Sequence, residues 1–200
     1  MPEGHLYHRL ARNLSKFSGG ELAGWSPQGR FAEGAAQING TRLEVVEAHG
    51  KHLLVRLGPD PLREDADPNR AWANLQATPS ALGAALLDQS VIAGIGNVFR
   101  AEALFACGLH PSRPAASLTR AEFDRLWATV REMMGRAVDD WRIVTVDPPA
   151  GRSRTEIPEN QARYVYKQAC CRRCGAPVVS WSLGGRTAYA CPVDQPAASA

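Results

Sequence analysis

Four residues near the C-terminus have the types and the spacing of a metal site. Two residues separate Cys171 from Cys174, and after sixteen further residues Cys191 is separated from Asp194 by the same interval. This is the spacing of a zinc ribbon, in which each pair supplies two ligands to one tetrahedral ion. The glycines at 184–185 would form the turn of the hairpin that joins the pairs. We therefore expect one structural Zn²⁺ ion at these residues.

The fourth ligand leaves an alternative open. Asp194 stands where a fourth cysteine is usual, and a carboxylate oxygen can bind zinc. Cys170 is a second candidate, although its adjacency to Cys171 makes simultaneous ligation awkward. The cysteines could also be reduced and free of metal. We expect Cys107 to be a buried apolar residue.

The N-terminus offers a nucleophile of a different kind. Initiator methionine is commonly removed before a residue such as Pro2, which would leave a free secondary amine. An α-amine has a pKa of about 8 against about 10.4 for lysine, so more of it is unprotonated at neutral pH. It can attack an aldehyde carbon to form an iminium, with Glu3 placed for proton transfer. The alternative is that both residues only suit the start of a helix.

A glycine-containing loop and a lysine are further candidates. The two glycines of Gly94–Asn97 let a backbone approach a ligand closely, and the following helix start offers N–H groups to an anion. Only 3 of the 23 basic residues are lysines, which makes Lys51 in the stretch HGKH a notable amine. The alternatives are an ordinary turn between helices and a solvated lysine at a strand end.

The candidate residues must be positioned by secondary-structure elements, and the sequence patterns predict an α+β fold with four segments. Residues 3–16 have the apolar spacing of an amphipathic helix, and alternating residues in 19–58 predict two to four strands. We therefore expect an N-terminal β domain at 1–58 and a linker at 59–68. A helical domain at 69–150 and a metal-binding hairpin with a tail at 151–200 follow.

Capping signals mark the helices of the third segment. Asp67-Pro68 and Thr78-Pro79 each combine an N-cap residue with a proline suited to the first turn. Thr119 with Glu122 three residues later forms a capping box and predicts a helix through about Val138.

Composition excludes several classes of protein. The chain has 200 residues, of which 44% are hydrophobic, enough to form one large or two small cores. It lacks an apolar run near 18 residues and a secretory pattern, so we expect no membrane association and a cytoplasmic location. The net charge of +3 does not by itself indicate nucleic acid. Residues 151–200, however, carry seven basic and three acidic groups, so the positive surplus lies with the candidate metal site.

Four motifs in this order resemble the Fpg/Nei family of DNA glycosylases. They are MPEG, GKHLL, LLDQSVIAGIGNVFRAEALF, and CRRCG followed by GRTAYACP. The stretches MPEGHLYHRLAR, SPQGRFAEGA and LGPDPLREDA are most similar to the actinobacterial endonuclease VIII branch. The resemblance runs from residue 2 to about residue 195. It implies a β-sandwich with a leading helix, a helix-two-turns-helix domain and a zinc-ribbon β-hairpin.

The resemblance also implies a reaction. It is base-excision repair of oxidised bases, with pyrimidines as the expected substrates, by a DNA glycosylase that is also a β,δ-lyase at abasic sites. Pro2 would attack C1′ and form a Schiff base, Glu3 would act as general acid and base, and Lys51 would assist elimination and contact phosphate.

DNA contacts are implied for the other two segments. Gly94, Gly96 and Asn97 would hold the DNA backbone, and Arg186 would contact phosphates flanking the lesion. Such a protein must extrude its base and stabilise a kinked backbone through phosphate contacts. The expected partner is double-stranded DNA containing oxidised bases or abasic sites, bound by a monomer in the bacterial cytoplasm at the nucleoid.

The first domain departs most from this family. HLLVRL runs directly into LGPDPL, whereas the family has several further strands between them. Residues 19–58 leave room for about four strands, and an eight-stranded sandwich needs about twice as much. The missing stretch is where the family carries the side chains that fill the gap left by the flipped base. A shortened sandwich would expose apolar sheet and unpaired edges.

Two other functions are compatible with parts of the sequence. The chain could be a catalytically impaired, DNA-binding relative of these glycosylases. A zinc ribbon on an RNA-binding or ribosome-associated protein is also conceivable, but it explains only the last fifty residues.

Overall fold

The computed structural model describes residues 4–27, 29, 31–49, 52–56, 60–62 and 66–197. The chain divides into two compact units, Met1–Asp60 and Pro61–Ala200. The helical segment and the candidate metal-binding hairpin therefore belong to the same unit. Among the described residues, no helix combines the length and apolar character needed to cross a membrane.

Helices and two-stranded antiparallel sheets make up both units. The helices are α1 (Gly4–Leu14), α2 (Ala32–Ile38), α3 (Pro68–Ala77), α4 (Leu82–Ala85), α5 (Asn97–Ala106) and α6 (Arg120–Asp140). The strands are β1 (Val45–His49), β2 (His52–Arg56), β3 (Val179–Leu183) and β4 (Arg186–Ala190). Short 3₁₀ turns lie at Ser15–Phe17, Ala115–Ser117, Arg154–Glu156 and Glu159–Gln161. The mixed helix and strand content agrees with the predicted α+β class.

The N-terminal unit packs α1 against the β1–β2 hairpin. Its buried apolar side chains are those of Ala11, Leu43 and Val46. The Ser15 hydroxyl lies 2.8 Å from the Ala11 carbonyl oxygen and 3.3 Å from that of Val46, which links the end of the helix to β1. Among the described residues of this unit, the three buried apolar side chains form a small core.

The strand prediction for GRFAEGAAQI is wrong, because Ala32–Ile38 forms α2. Alanine, glutamate and glutamine are strong helix formers, and this local preference outweighs the apparent alternation. The described residues of this unit contain the hairpin and one isolated bridge between Glu21 and Arg42, and they do not form the expected sandwich. Trp25 and Phe31 remain 75% and 78% exposed, consistent with the apolar exposure expected of a shortened domain.

Two of the three capping predictions in the second unit are confirmed. The Asp67 carboxylate accepts a hydrogen bond from the Asn69 N–H with Pro68 in the first turn, and Thr119 and Glu122 form the reciprocal box at the start of α6. The predicted cap at Thr78 is wrong. Thr78 instead ends α3, where its hydroxyl donates to the carbonyl oxygen of Asn74.

The core of the second unit surrounds α5. Buried apolar residues from α3, α4, α5 and α6 form its main cluster, which includes Leu75, Leu86, Leu104, Phe123 and Leu126. The opposite side of α5 supplies Ala101 and Phe105 to a second cluster, which also contains Val165, Cys171 and Cys191. This helix is therefore covered on both sides.

A buried carboxylate joins α5 to the chain that leads into the hairpin. Glu102 is 0% exposed and accepts hydrogen bonds from the backbone N–H groups of Tyr164, Val165 and Tyr166 at 2.8–2.9 Å. The hydroxyl of Thr145 donates to the same carboxylate. One buried side chain thus accepts hydrogen bonds from all four donors, which offsets the cost of burying its polar atoms.

Replacing this carboxylate should destabilise the protein strongly. In Glu102→Gln an amide NH₂ group replaces one oxygen and faces N–H or O–H donors, so we expect a loss of about 2–4 kcal/mol in the free energy of unfolding. Urea unfolding of the full chain, followed by circular dichroism, measures it.

Glu132→Gln is the matched control, since Glu132 forms an exposed ion pair with Arg136 on α6. Its expected cost is below about 1 kcal/mol. Equal effects of the two substitutions would contradict the role assigned to Glu102.

Candidate functional site

The β3–β4 hairpin brings the four predicted metal ligands together. Gly184 and Gly185 form its turn with φ of +62° and +71°, a conformation that side chains disfavour. One donor atom from each of the four residues lies within 4.8 Å of all the others; the residues are Cys171, Cys174, Cys191 and Asp194. We call them the metal cluster.

The donor atoms of the metal cluster fit a tetrahedral ion. The sulfurs of Cys174 and Cys191 are 3.4 Å apart, and Oδ2 of Asp194 lies 3.1 Å and 3.3 Å from the sulfurs of Cys191 and Cys171. Zinc bonds of the usual lengths would place such ligands about 3.5–3.8 Å from one another. Cys170 is exposed, and it is absent from the cluster. The geometry thus favours Asp194 over Cys170 as the fourth donor.

The ligand atoms of the metal cluster have shifted pKa values. Burial raises the pKa of the Cys171 and Cys191 thiols, and a hydrogen bond from the Cys191 thiol lowers the pKa of Asp194. A divalent cation would replace the thiol protons and stabilise the thiolates. The other carboxylate oxygen of Asp194, Oδ1, forms an ion pair with the guanidinium of Arg173 at 3.6 Å.

Gln89, which precedes the Gly94–Asn97 loop, hydrogen-bonds to the backbone of that loop. Oε1 of Gln89 accepts a hydrogen bond from the Gly94 N–H, and its Nε2 donates to the Ile95 carbonyl oxygen. Gly94 has a φ of +86°, and the space where a Gly96 side chain would lie is empty. α5 begins next, and its N-cap, Gly96, provides no side-chain hydrogen bond. The first-turn N–H groups are thus available to an external anion.

The hairpin tip lies against this loop. Nδ2 of Asn97 donates to the Thr187 carbonyl oxygen at 3.1 Å, and Arg186, the preceding residue, is exposed. The structure therefore brings two sequence-predicted elements, the Gly94–Asn97 loop and Arg186, to one surface of the second unit. We call this the loop–hairpin surface.

The three predicted catalytic residues, Pro2, Glu3 and Lys51, lie outside the described residues. Two other residues were missed by sequence reasoning. Gln89 carried a signal as an amide five positions before Gly94. Arg100 carried one because it and Glu102 are the two charges in the otherwise apolar stretch VFRAEALFA, where a charged side chain implies a partner.

The chain is similar to one family of DNA glycosylases, both by family profile and by individual relatives. The profile of the formamidopyrimidine-DNA glycosylase H2TH domain matches residues 57–147. Endonuclease 8 1 of Mycobacterium tuberculosis is 32% identical over 267 positions, covering 98% of this chain and 100% of the relative. The alignment is longer than the 200-residue chain, so part of the relative has no counterpart here. A formamidopyrimidine-DNA glycosylase of Thermomicrobium roseum is 36% identical over 158 residues, which are 78% of this chain and 55% of the relative.

A solved structure shares the fold. The complex between the Lactococcus lactis Fpg and an abasic site containing DNA matches 98% of this chain and 100% of its own, with a TM-score of 0.58. The sequence identity is 18%, so this match concerns the fold.

The metal cluster predicts how individual substitutions change zinc content. We expect the purified protein to carry one zinc ion, and Asp194→Ala to lower zinc affinity because one donor of a closed tetrahedral site is lost. Asp194→Cys should restore tight binding. Elemental analysis after dialysis, and the thiolate-to-metal absorption of the Co²⁺-substituted protein, measure both.

Cys170→Ser is the matched control and should leave zinc content and the Co²⁺ spectrum unchanged. A loss of zinc in this variant, with full zinc in Asp194→Ala, would assign the fourth ligand to Cys170 instead.

Proposed function

The chain belongs to the formamidopyrimidine-DNA glycosylase and endonuclease VIII family, and we propose that it is a base-excision-repair DNA glycosylase with lyase activity on oxidised bases. Oxidised pyrimidines are the proposed substrates and double-stranded DNA the partner. The similarity to Endonuclease 8 1 over the whole length of that relative supports this proposal.

The loop–hairpin surface is the observation that carries the proposal. The start of α5 offers uncapped N–H groups, Asn97 adds an amide, and Arg186 extends from the neighbouring hairpin. Backbone N–H groups, amides and arginines at a helix N-terminus are groups that contact DNA phosphates. Gly94 and Gly96 would let the phosphate backbone approach the loop closely.

We assign the steps of base release and strand cleavage to Pro2, Glu3 and Lys51. The unprotonated amine of Pro2 would attack C1′ as the bond from C1′ to the base breaks, and Glu3 would transfer the proton that the departing base requires. Protonation of O4′ then opens the C1′–O4′ bond and forms the iminium, which makes the C2′ proton acidic. Removal of that proton expels the 3′ phosphate, and a second elimination expels the 5′ phosphate. Lys51 would assist elimination and hold a phosphate.

Zinc has a structural role in this proposal. Cys171, Cys174, Cys191 and Asp194 would hold one ion, which supplies cross-linking rather than chemistry at the base. All four ligands lie in the segments that flank β3 and β4, so the ion would fix the base of the hairpin that carries Arg186.

A second function has a specific observation in its favour. The described residues of the N-terminal unit contain one two-stranded hairpin and a core of three buried apolar side chains. The loop–hairpin surface belongs to the other unit. A DNA-binding relative that no longer performs the reaction would keep this surface and lose turnover.

Borohydride trapping on abasic-site duplex DNA separates the two functions. The proposed enzyme should form a covalent adduct, because borohydride reduces the iminium, and mass spectrometry should place the link on Pro2. Pro2→Gly should reduce trapping strongly.

Glu3→Gln is informative as a partner variant on a duplex that still carries an oxidised base, since it should retain the amine while slowing base release. Salt-dependent DNA binding without any adduct, by protein that is folded and zinc-loaded, would support the non-catalytic relative instead.

A further inference from the structure

We propose that Arg100 is the positioning residue for Arg186. It would fix the hairpin tip on the start of α5, so that Arg186 and the loop Gly94–Asn97 act as one rigid phosphate-binding surface. This inference rests on the proposed function, because it assumes that Arg186 contacts DNA.

Arg100 contacts the hairpin tip from both sides of its turn. One terminal nitrogen, Nη1, donates to the carbonyl oxygen of Leu183 at 3.0 Å, and the other, Nη2, donates to that of Thr187 at 2.8 Å. These two residues flank the segment Gly184–Arg186. A single planar guanidinium therefore fixes the backbone immediately before and after the turn that carries Arg186.

The same guanidinium is anchored to the helical core. Nη1 also donates to the Gly83 carbonyl oxygen in α4 at 3.3 Å, and the residue is 1% exposed. A cation buried this deeply is costly unless its donors are paired, so its hydrogen bonds define one geometry of the junction.

Close backbone packing restricts the hairpin tip further. A side chain at Gly83 would come within 2.9 Å of Cδ2 of Leu183, and one at Gly184 would come within 3.1 Å of the Ala84 backbone. The tip is thus pressed onto α4 while Asn97 holds Thr187 from α5. Few alternative positions remain for Arg186.

Positioning can be distinguished from a simple contribution of charge. Lysine keeps the positive charge of Arg100 but lacks the planar fork that reaches carbonyls on both sides of the turn. If position matters, Arg100→Lys should lose most of the binding that Arg100→Met loses. If only charge matters, the lysine variant should bind as the unchanged protein does.

A double-mutant cycle tests the inference on the full, zinc-loaded chain. Binding to a duplex carrying an uncleavable abasic-site analogue is measured as a function of salt for the unchanged protein, Arg186→Ala, Arg100→Met and both together. Arg186→Ala should weaken binding about tenfold and reduce the salt slope by about one. Arg100→Met should do the same, and the double variant should be no weaker than Arg186→Ala.

Arg125→Met is the matched control: it removes the same charge, and Arg125 donates to the carbonyl oxygen of Cys107, the residue after α5, away from the hairpin tip. It should leave DNA binding within about twofold of the unchanged protein. Zinc content and thermal unfolding identify variants that fail to fold. If Arg100→Met fails to fold, the same cycle is measured with Arg100→Lys and with Arg100→Lys combined with Arg186→Ala.

The outcomes separate the inference from the proposed function. Normal binding by Arg186→Ala would overturn the DNA role assigned to that residue. Weakened binding by Arg186→Ala together with normal or additive effects at Arg100 would overturn the positioning role alone.

Discussion

Two buried charges on one helix organise the second unit. Arg100 and Glu102 lie two positions apart on α5, so they leave the helix in nearly opposite directions. Arg100 binds carbonyl oxygens of the hairpin tip, and Glu102 binds N–H groups of the segment that leads into the hairpin. The hairpin tip and the segment before the hairpin are thus both attached to α5 through their backbones. Removing either charge would leave several buried polar groups unpaired.

These contacts explain why the loop and the hairpin share a surface. The chain separates Asn97 from Arg186 by most of a domain, yet the carbonyl oxygen of Thr187 accepts hydrogen bonds from both Asn97 and Arg100. The proposed phosphate contacts therefore depend on hydrogen bonds that never touch DNA. The metal cluster, whose four residues could hold one ion, lies at the base of the same hairpin.

Features governed by short-range chemistry could be predicted from the sequence. The cap at Asp67, the capping box at Thr119, the glycine turn at 184–185 and the spacing of the metal cluster each involve residues within a few positions of one another or a recognised spacing. The loop Gly94–Asn97 was a candidate from its own glycines, whereas Arg186 became one only through the family resemblance, and the proximity of the two could not be derived from spacing.

The errors have physical causes. Residues 32–38 alternate like a strand, but their alanines favour a helix that no sheet partner prevents. Arg100 escaped notice because a charge on a helix usually indicates a solvated face, and its partner Thr187 lies 87 positions away. In the middle of β3, Trp181 stacks on His110 with ring centroids 5.3 Å apart, while the residues on either side of it point to the opposite face of the strand. Ser180 and Ser182, both exposed, are therefore positions where the sequence can drift between species, or accept a spectroscopic label, without moving Arg186.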